Sequence, residues 1–280
     1  MYKERLILFI DLLGFKSIVN RSVRDEQYLA SIYELLKGIT AEPVSTEAFG
    51  QLNRQLVPKE RLAEIEEFNQ LFSAGIKASS TLAVTHFSDS LVISADVDDT
   101  TSTFSILELV AKLTFRLWEE HQVLTRGGVT IGKLIHEEGG VLIGPAMVRA
   151  YELESKLAKV PRILIDENCI AYIQQNHLYD AMKRLFWEVG ELKSEDGEAQ
   201  LNKGLEINLG TTYHHFLLSL YGVSPVLRKR YERSLKTAIT DLTTIRDAVS
   251  KADVKEKYNY VIAEVERMKS GFTFWEDIIV

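Results

Sequence analysis

Residues 5 to 15 read RLILFIDLLGF. The unbroken apolar run from Leu6 to Ile10 lacks the alternation of a half-exposed strand, and it predicts a buried strand. A chain with such a strand must be able to cover it. With 46% hydrophobic residues over 280 positions, this one can bury a full core. The run ends on Asp11, a charged group that seldom sits in such a place without a partner. A Gly-containing turn at Gly14 follows and leads into a helix.

Further along, apolar and polar stretches alternate. DEQYLASIYELLKGI has helical spacing at Leu29, Ile32, Leu35, Leu36 and Ile39. The piece from 41 to 75 is polar, broken by Pro43 and Pro58, and carries one more helical pattern. Residues 77 to 96 read as a hairpin with THFSDSLVIS at its centre. DDTTST then starts a helix with Thr or Ser as its cap, and Ile106, Leu109, Val110, Leu113 and Leu117 fall on one face. QVLTRGGVTIGKLIHEEGGVLIGPAM predicts strand, turn at Gly139-Gly140, and short strand. AMVRAYELESKLAKV is a helix and RILID a strand; from 170 to 222 a short helix mixes with short strands. From Ser224-Pro225, a cap followed by proline at the first helical position, the pattern is helical almost to Gly271. Its apolar residues Leu227, Leu235, Ile239, Leu242 and Ile245 must pack on the sheet or on a second subunit.

Hairpins among the strands exclude a purely parallel sheet. The expected class is α+β, a split-βαβ, ferredoxin-like core with additions and a helical C-terminal extension. The expected division is a catalytic domain over 1–222, with core 5–166 and a helical insertion at about 41–75, and the extension over 223–280. That topology sets the end of the first strand beside the central hairpin, and so brings Asp11 to Asp89. Two readings stand side by side. Asp11 caps the next helix and Asp89 shapes a turn, or the two carboxylates share divalent ions, typically ~3.5–4 Å apart in two-metal phosphoryl transfer. In the second, backbone N–H groups of the turn and the helix N-terminus hold a polyphosphate.

The motifs FIDLLGF, FSDS and RGGVTIGKLIHEEGGVLIGPAMVRAYELES together resemble the class III nucleotidyl cyclase domain over roughly residues 5 to 166. Arg126, Gly128 and Gly132 match its Arg-x-Gly-x-x-x-Gly strand, and Gly144, Leu153 and Glu154 match the helix that follows. The resemblance implies that Asp11 and Asp89 bind two Mg²⁺ or Mn²⁺ per active site, with the Leu12 carbonyl as a further contact. It implies substrate binding by Leu12, Leu13, Gly14 and Phe15. It also implies a homodimer with active sites at the interface. Purine cyclases of this family read the base with a Lys and an Asp or Thr; Thr85 and Val141 stand there. The family's Asn and Arg that support the transition state are Val148 and Glu152, and Glu cannot stabilise developing negative charge. Arg149, reaching in from the partner subunit, is the candidate replacement, with Arg126 and Lys133 as others.

With the metal residues kept and the base residues changed, the chain looks most like the pyrimidine cyclases of Pycsar antiphage defence systems. That likeness implies UTP or CTP as substrate, Thr85 in the base pocket, cyclic UMP or cyclic CMP as product and a separate cyclic-nucleotide effector protein. A purine cyclase or an inactive nucleotide-binding dimer are the alternatives.

The formal charge of -7 argues against a DNA or RNA surface built on bulk positive charge. The basic stretch RKRYERSLK reads as the solvated face of a helix, and DVDD lacks the Gly and Glu of a calcium loop. Cys169 is the single cysteine, a small core residue in a chain without internal disulfides. His214-His215, read as adjacent strand residues, point to opposite faces and make no metal site. No segment is apolar for ~18 residues. Bacterial cytoplasm without membrane attachment is the expectation.

Overall fold

The computed structural model describes residues 1–39, 80–178, 182–221 and 225–271. The expected insertion at 41–75 and Ser224 lie outside them. Strand β1 (Lys3–Leu12) is antiparallel to both β3 (Ser90–Asp96) and β4 (Thr125–His136), and β2 (Ala83–Phe87) pairs with β3. The order β2-β3-β1-β4 is the split-βαβ core expected for an α+β chain. The sheet continues through β6 (Ile163–Ile165), parallel to β4, then β10 (Gly204–Ile207) and β7 (Trp187–Val189). The short β5 (Leu142–Ile143) folds back on β4, and β8 (Leu192–Lys193) pairs with β9 (Gln200–Leu201) separately.

Period-two alternation sorts β1 into two faces. Leu6, Leu8, Ile10 and Leu12 point into the main core. That layer holds α1 (Phe15–Ser22), α2 (Glu26–Lys37), α3 (Thr100–His121) and α5 (Glu167–Gln175). Ile7 and Phe9 point the other way, with Val92 and Leu134, under α4 (Pro145–Glu152). Both faces of β1 are covered, as its unbroken apolar run requires. The face of α3 named from sequence is buried throughout, but in α2 Leu29 is exposed while Ile32 and Leu35 are buried, as is Ile39 just beyond the helix.

Four local expectations are corrected. The cap of α3 is Asp99, whose carboxylate accepts from Ser102 N–H; a carboxylate one residue before the threonines takes the capping role. The helix from Pro145 turns π-helical over Leu153–Leu157 and buries Glu154. Residues Leu209–Tyr221 form a helix, α6, so His214 and His215 are not strand neighbours. The C-terminal stretch is two helices, α7 (Pro225–Ala248) and α8 (Ala252–Gly271). Leu235 and Leu242 of α7 pack with Val261 and Val265 of α8, Tyr213 of α6 and Trp118 of α3, so the extension is seated on helices of its own chain. Among the described residues no helix is long and apolar enough to cross a membrane.

Candidate active site

Asp11 is the last outward-facing residue of β1 on the α4 side, opposite Ser90 on one neighbour and Arg126 on the other. The β2–β3 hairpin closes in two residues, Ser88 and Asp89, and its tip is tied to β1: Leu12 N–H donates to the Asp89 carbonyl at 2.9 Å. Ser88 takes φ 49°, a conformation glycine normally supplies in such turns. Sequence positions far apart are thereby brought together, as the topology predicted.

The charges at this corner are unbalanced. Asp11 sits with its side chain only 18% exposed. Its carboxyl is pushed above the ordinary range, chiefly by burial and further by Asp89, while Arg126 and the Ser90 hydroxyl pull it back. Arg126 lies 3.6 Å from Asp11 and also pairs with Glu154. Glu154 is nearly inaccessible, and burial likewise raises its carboxyl, against the pull of Arg126. Two carboxylates, Asp11 and Glu154, thus share one arginine, and Asp89 adds its negative field to both. Glu154 matched the resemblance without an assigned role; the π-helical turn that aims it at Arg126 has no periodic signal in sequence.

The oxygen-only donor set of Asp11 and Asp89 suits a hard divalent cation. The repulsion of Asp89 on Asp11, which the Arg126 and Lys257 charges oppose, is what a bound cation would remove. Among the described residues no group of three or more His, Cys, Asp or Glu side chains is arranged to hold a metal. Two carboxylates therefore leave most of a six-oxygen shell to substrate and water, the usual arrangement for Mg²⁺ at phosphate sites.

The turn after β1 divides its groups between the core and the surface. The Leu12 side chain is buried in the core, Leu13 packs toward the C-terminal helices and Phe15 packs on the main core. Leu12 is buried, while Leu13 and Phe15 remain partly exposed. Gly14 has φ 79° and opens α1 without a side-chain cap, which leaves first-turn N–H groups for an anion.

Thr85 is half-buried on β2, one row of the sheet beyond Asp11 on the same face, and is hydrogen-bonded to His136 at 2.9 Å. The turn joining β4 to β5 folds over this edge, with Gly139 N–H donating to the Val84 carbonyl, and exposed Val141 stands beside it. Arg149 is not at this corner of its own chain: its Nε donates to Asp166 at 3.4 Å and its Nη2 to the Gln200 carbonyl at 2.9 Å. Lys133 is exposed on the opposite face of β4 from Arg126. Val148 is exposed on α4, and Glu152 lies 4.0 Å from Arg149.

His214 and His215 are bonded to the Arg184 carbonyl and to Glu108. Cys169 is fully buried, its thiol pushed well up by burial.

No family model matches the chain, and no curated protein matches it. Among solved structures, an adenylate/guanylate cyclase/hydrolase from Silicibacter pomeroyi is 15% identical over 74% of this chain and 98% of that one, with a TM-score of 0.43. A bacterial light-regulated adenylyl cyclase is 13% identical over 82% and 99%, at 0.36. The catalytic core of a rhodopsin-guanylyl cyclase with converted specificity, solved with ATPalphaS, is 13% identical over 74% and 96%, also at 0.36. Likenesses this distant bear on neither substrate nor assembly.

Proposed function

We propose that the protein is a nucleotide cyclase that converts a pyrimidine nucleoside triphosphate, UTP or CTP, to its 3′,5′-cyclic monophosphate and diphosphate. The observation that carries this reading is the closure of the hairpin tip onto β1, which sets the Asp89 backbone against Leu12 and its carboxylate within the field of Asp11. Asp11 and Asp89, with the Leu12 carbonyl, would hold two Mg²⁺ or Mn²⁺. Those ions would supply activation of the ribose hydroxyl and neutralisation of the triphosphate. The chain's own groups orient the substrate. First-turn amides after Gly14 receive phosphate oxygens, and Arg126 keeps the buried Glu154 from adding uncompensated negative charge. Thr85 and Val141 bound the base, and neither carries a charge for a purine edge.

The exposed apolar side chains of Phe87, Val141, Ile143, Val148 and Tyr151 support a homodimer that covers this side of the sheet. Arg149 would then act across the interface, although in its own chain it is engaged with Asp166. A separate effector that reads the cyclic product, and a role in antiphage defence, complete the proposal and rest on the sequence resemblance alone.

The test is incubation of the purified protein with each of the four ribonucleoside triphosphates and Mn²⁺. Cyclic UMP or cyclic CMP is expected, and Asp89→Asn should remove it while leaving the circular dichroism spectrum unchanged. Cyclic AMP or GMP as the main product refutes the pyrimidine assignment. Full turnover by Asp89→Asn refutes the metal assignment.

A further inference from the structure

The C-terminal helix α8 is seated on the core by contacts that fix its register. Val261, Ile262 and Val265 are buried in one cluster with Trp118, Leu124 and Tyr213. The Tyr260 hydroxyl donates to Glu206 of β10 at 2.6 Å, and the Asn208 side-chain amide donates to Glu264 at 3.0 Å. Helix α6 comes so near that a Cβ on Gly210 would lie 2.6 Å from the Glu264 carbonyl oxygen. The turn after β1 rests on the same cluster. Leu13 packs against it, and Leu13 N–H donates to the Leu124 carbonyl at 2.9 Å. Asp11 thus ends its strand just before a segment held against the extension. Lys257 is one helical turn before Val261 and lies on the same side of α8. It is half-buried, and its charge reaches Asp11: burial raises that carboxyl, and Arg126 and Lys257 both pull it back. Arg126 is already paired with Asp11 and Glu154. Among the described residues Lys257 forms no hydrogen bond or ion pair.

We infer that Lys257 is a polyphosphate-binding cation of the Asp11–Asp89 corner, so that the C-terminal extension completes the active site of its own chain. This deepens the reading of the corner as a metal–nucleotide site and rests on it. A divalent ion held by Asp11 and Asp89 and a nearby ammonium repel each other. The ammonium therefore lowers metal affinity unless an anion offsets the repulsion. Two carboxylates leave most of an oxygen shell open, and phosphate oxygens that enter it bring that anion. Lysine meets such oxygens as a compact point charge with three donors on a flexible stem. Arg126 cannot turn to them without stranding the buried Glu154. Lys257 thus opposes the bare metal and favours the metal–polyphosphate complex. The two effects have opposite signs, which a role in packing alone would not produce.

Three probes test this: Mn²⁺ alone, followed by electron paramagnetic resonance, and inorganic tripolyphosphate and 3′-deoxy-UTP, each titrated calorimetrically with Mg²⁺. The deoxynucleotide lacks the attacking hydroxyl. Lys257→Met should weaken both phosphate probes roughly tenfold to a hundredfold, the loss of one charge-assisted hydrogen bond. The same variant should bind Mn²⁺ alone about threefold to tenfold more tightly. Lys257→Arg keeps the charge and should stay within about threefold of wild type on all three. Lys251→Met removes an exposed lysine from the same extension and should change none of them by more than about twofold. If Lys257→Met does not fold, Lys257→Gln decides in its place. Unchanged phosphate affinity in Lys257→Met, or an equal loss in Lys251→Met, overturns the assignment and leaves the cyclase reading standing. Weakening of Mn²⁺ and phosphate together marks a structural lesion and also overturns it. Wild-type binding of tripolyphosphate but not 3′-deoxy-UTP, with the Lys257→Met loss intact, keeps Lys257 and overturns the pyrimidine assignment. Binding of neither phosphate probe by the wild type overturns both readings.

Discussion

Arg149 is the residue on which the proposed site and the isolated chain make opposite demands. In its own chain its Nε donates to Asp166, which is almost fully buried and is also bonded by the Thr130 hydroxyl and Cys169 N–H. Arg149→Met removes the guanidinium while keeping a packed stem. A hydrogen bond to a charged group contributes about 1.5–3 kcal/mol. This one is long at 3.4 Å and its arginine side chain is 26% exposed, so a loss of about 1–2 kcal/mol is the fair figure after solvent screening. At ~2–4 °C per kcal/mol for a chain of this size, Tm should fall by about 2–8 °C. The fall should also depend on pH. Burial raises the Asp166 carboxyl above its ordinary value of 3.8, and Arg149 opposes that rise. A carboxyl raised in the folded state contributes stability that is present below its unfolded value and lost as pH rises through the folded one. Without Arg149 the folded value climbs further, so the variant's deficit should be large at pH 8 and shrink toward pH 4. Differential scanning fluorimetry of both proteins across that range reads it directly. A drop below about 1 °C that is the same at both ends would refute the in-chain pairing and release Arg149 for the partner's site.

Three further outcomes follow from the same geometry. Arg126→Met strands the buried Glu154 beside Asp11 and should cost about 3–5 kcal/mol in urea denaturation, with most of it recovered by adding Glu154→Gln. Gly128→Val should prevent folding or detach α4, because a Cβ there would lie 2.4 Å from the Ala150 carbonyl oxygen and 2.5 Å from Leu153 Cβ; a native circular dichroism spectrum and Tm would contradict this. Ser88→Gly should raise stability by about 0.5–1 kcal/mol by relieving the positive φ, visible as a higher urea midpoint at unchanged slope.

The strand order and the meeting of Asp11 with Asp89 were legible because both depend on local pattern: an apolar run with a charged end, and two short runs about a polar turn. What was not legible depends on packing. Residues Leu209–Tyr221 read LGTTYHHFLLSLY, where Thr, Tyr and Phe favour a strand by propensity. Burial of Tyr213 against α3, α7 and α8 makes the segment a helix. Glu154 is aimed at Arg126 by a π-helical turn that no 3.6-residue pattern announces. The hydrogen bonds from Arg5 through Ser94 and His136 to Thr85 join residues 42 to 89 positions apart, and each is unremarkable alone.

The site nonetheless follows from a constraint that the apolar run imposes. Leu6, Leu8, Ile10 and Leu12 fill the helix-covered core, so β1 cannot slip by one residue without sending Asp11 into that core and Leu12 out of it. The same register sets three rows on the α4 face: Asp11 with Ser90 and Arg126, Phe9 with Val92 and Thr85, and Ile7 with Ser94 and Thr130. The first row carries the carboxylate proposed to hold the metal ions, the second the proposed base contact at Thr85 and the third the buried Ser94, bonded to His136. Each row is two residues from the next on every strand. The alignment of these three rows therefore needs no separate device, and any substitution that shifted β1 would disturb all three together.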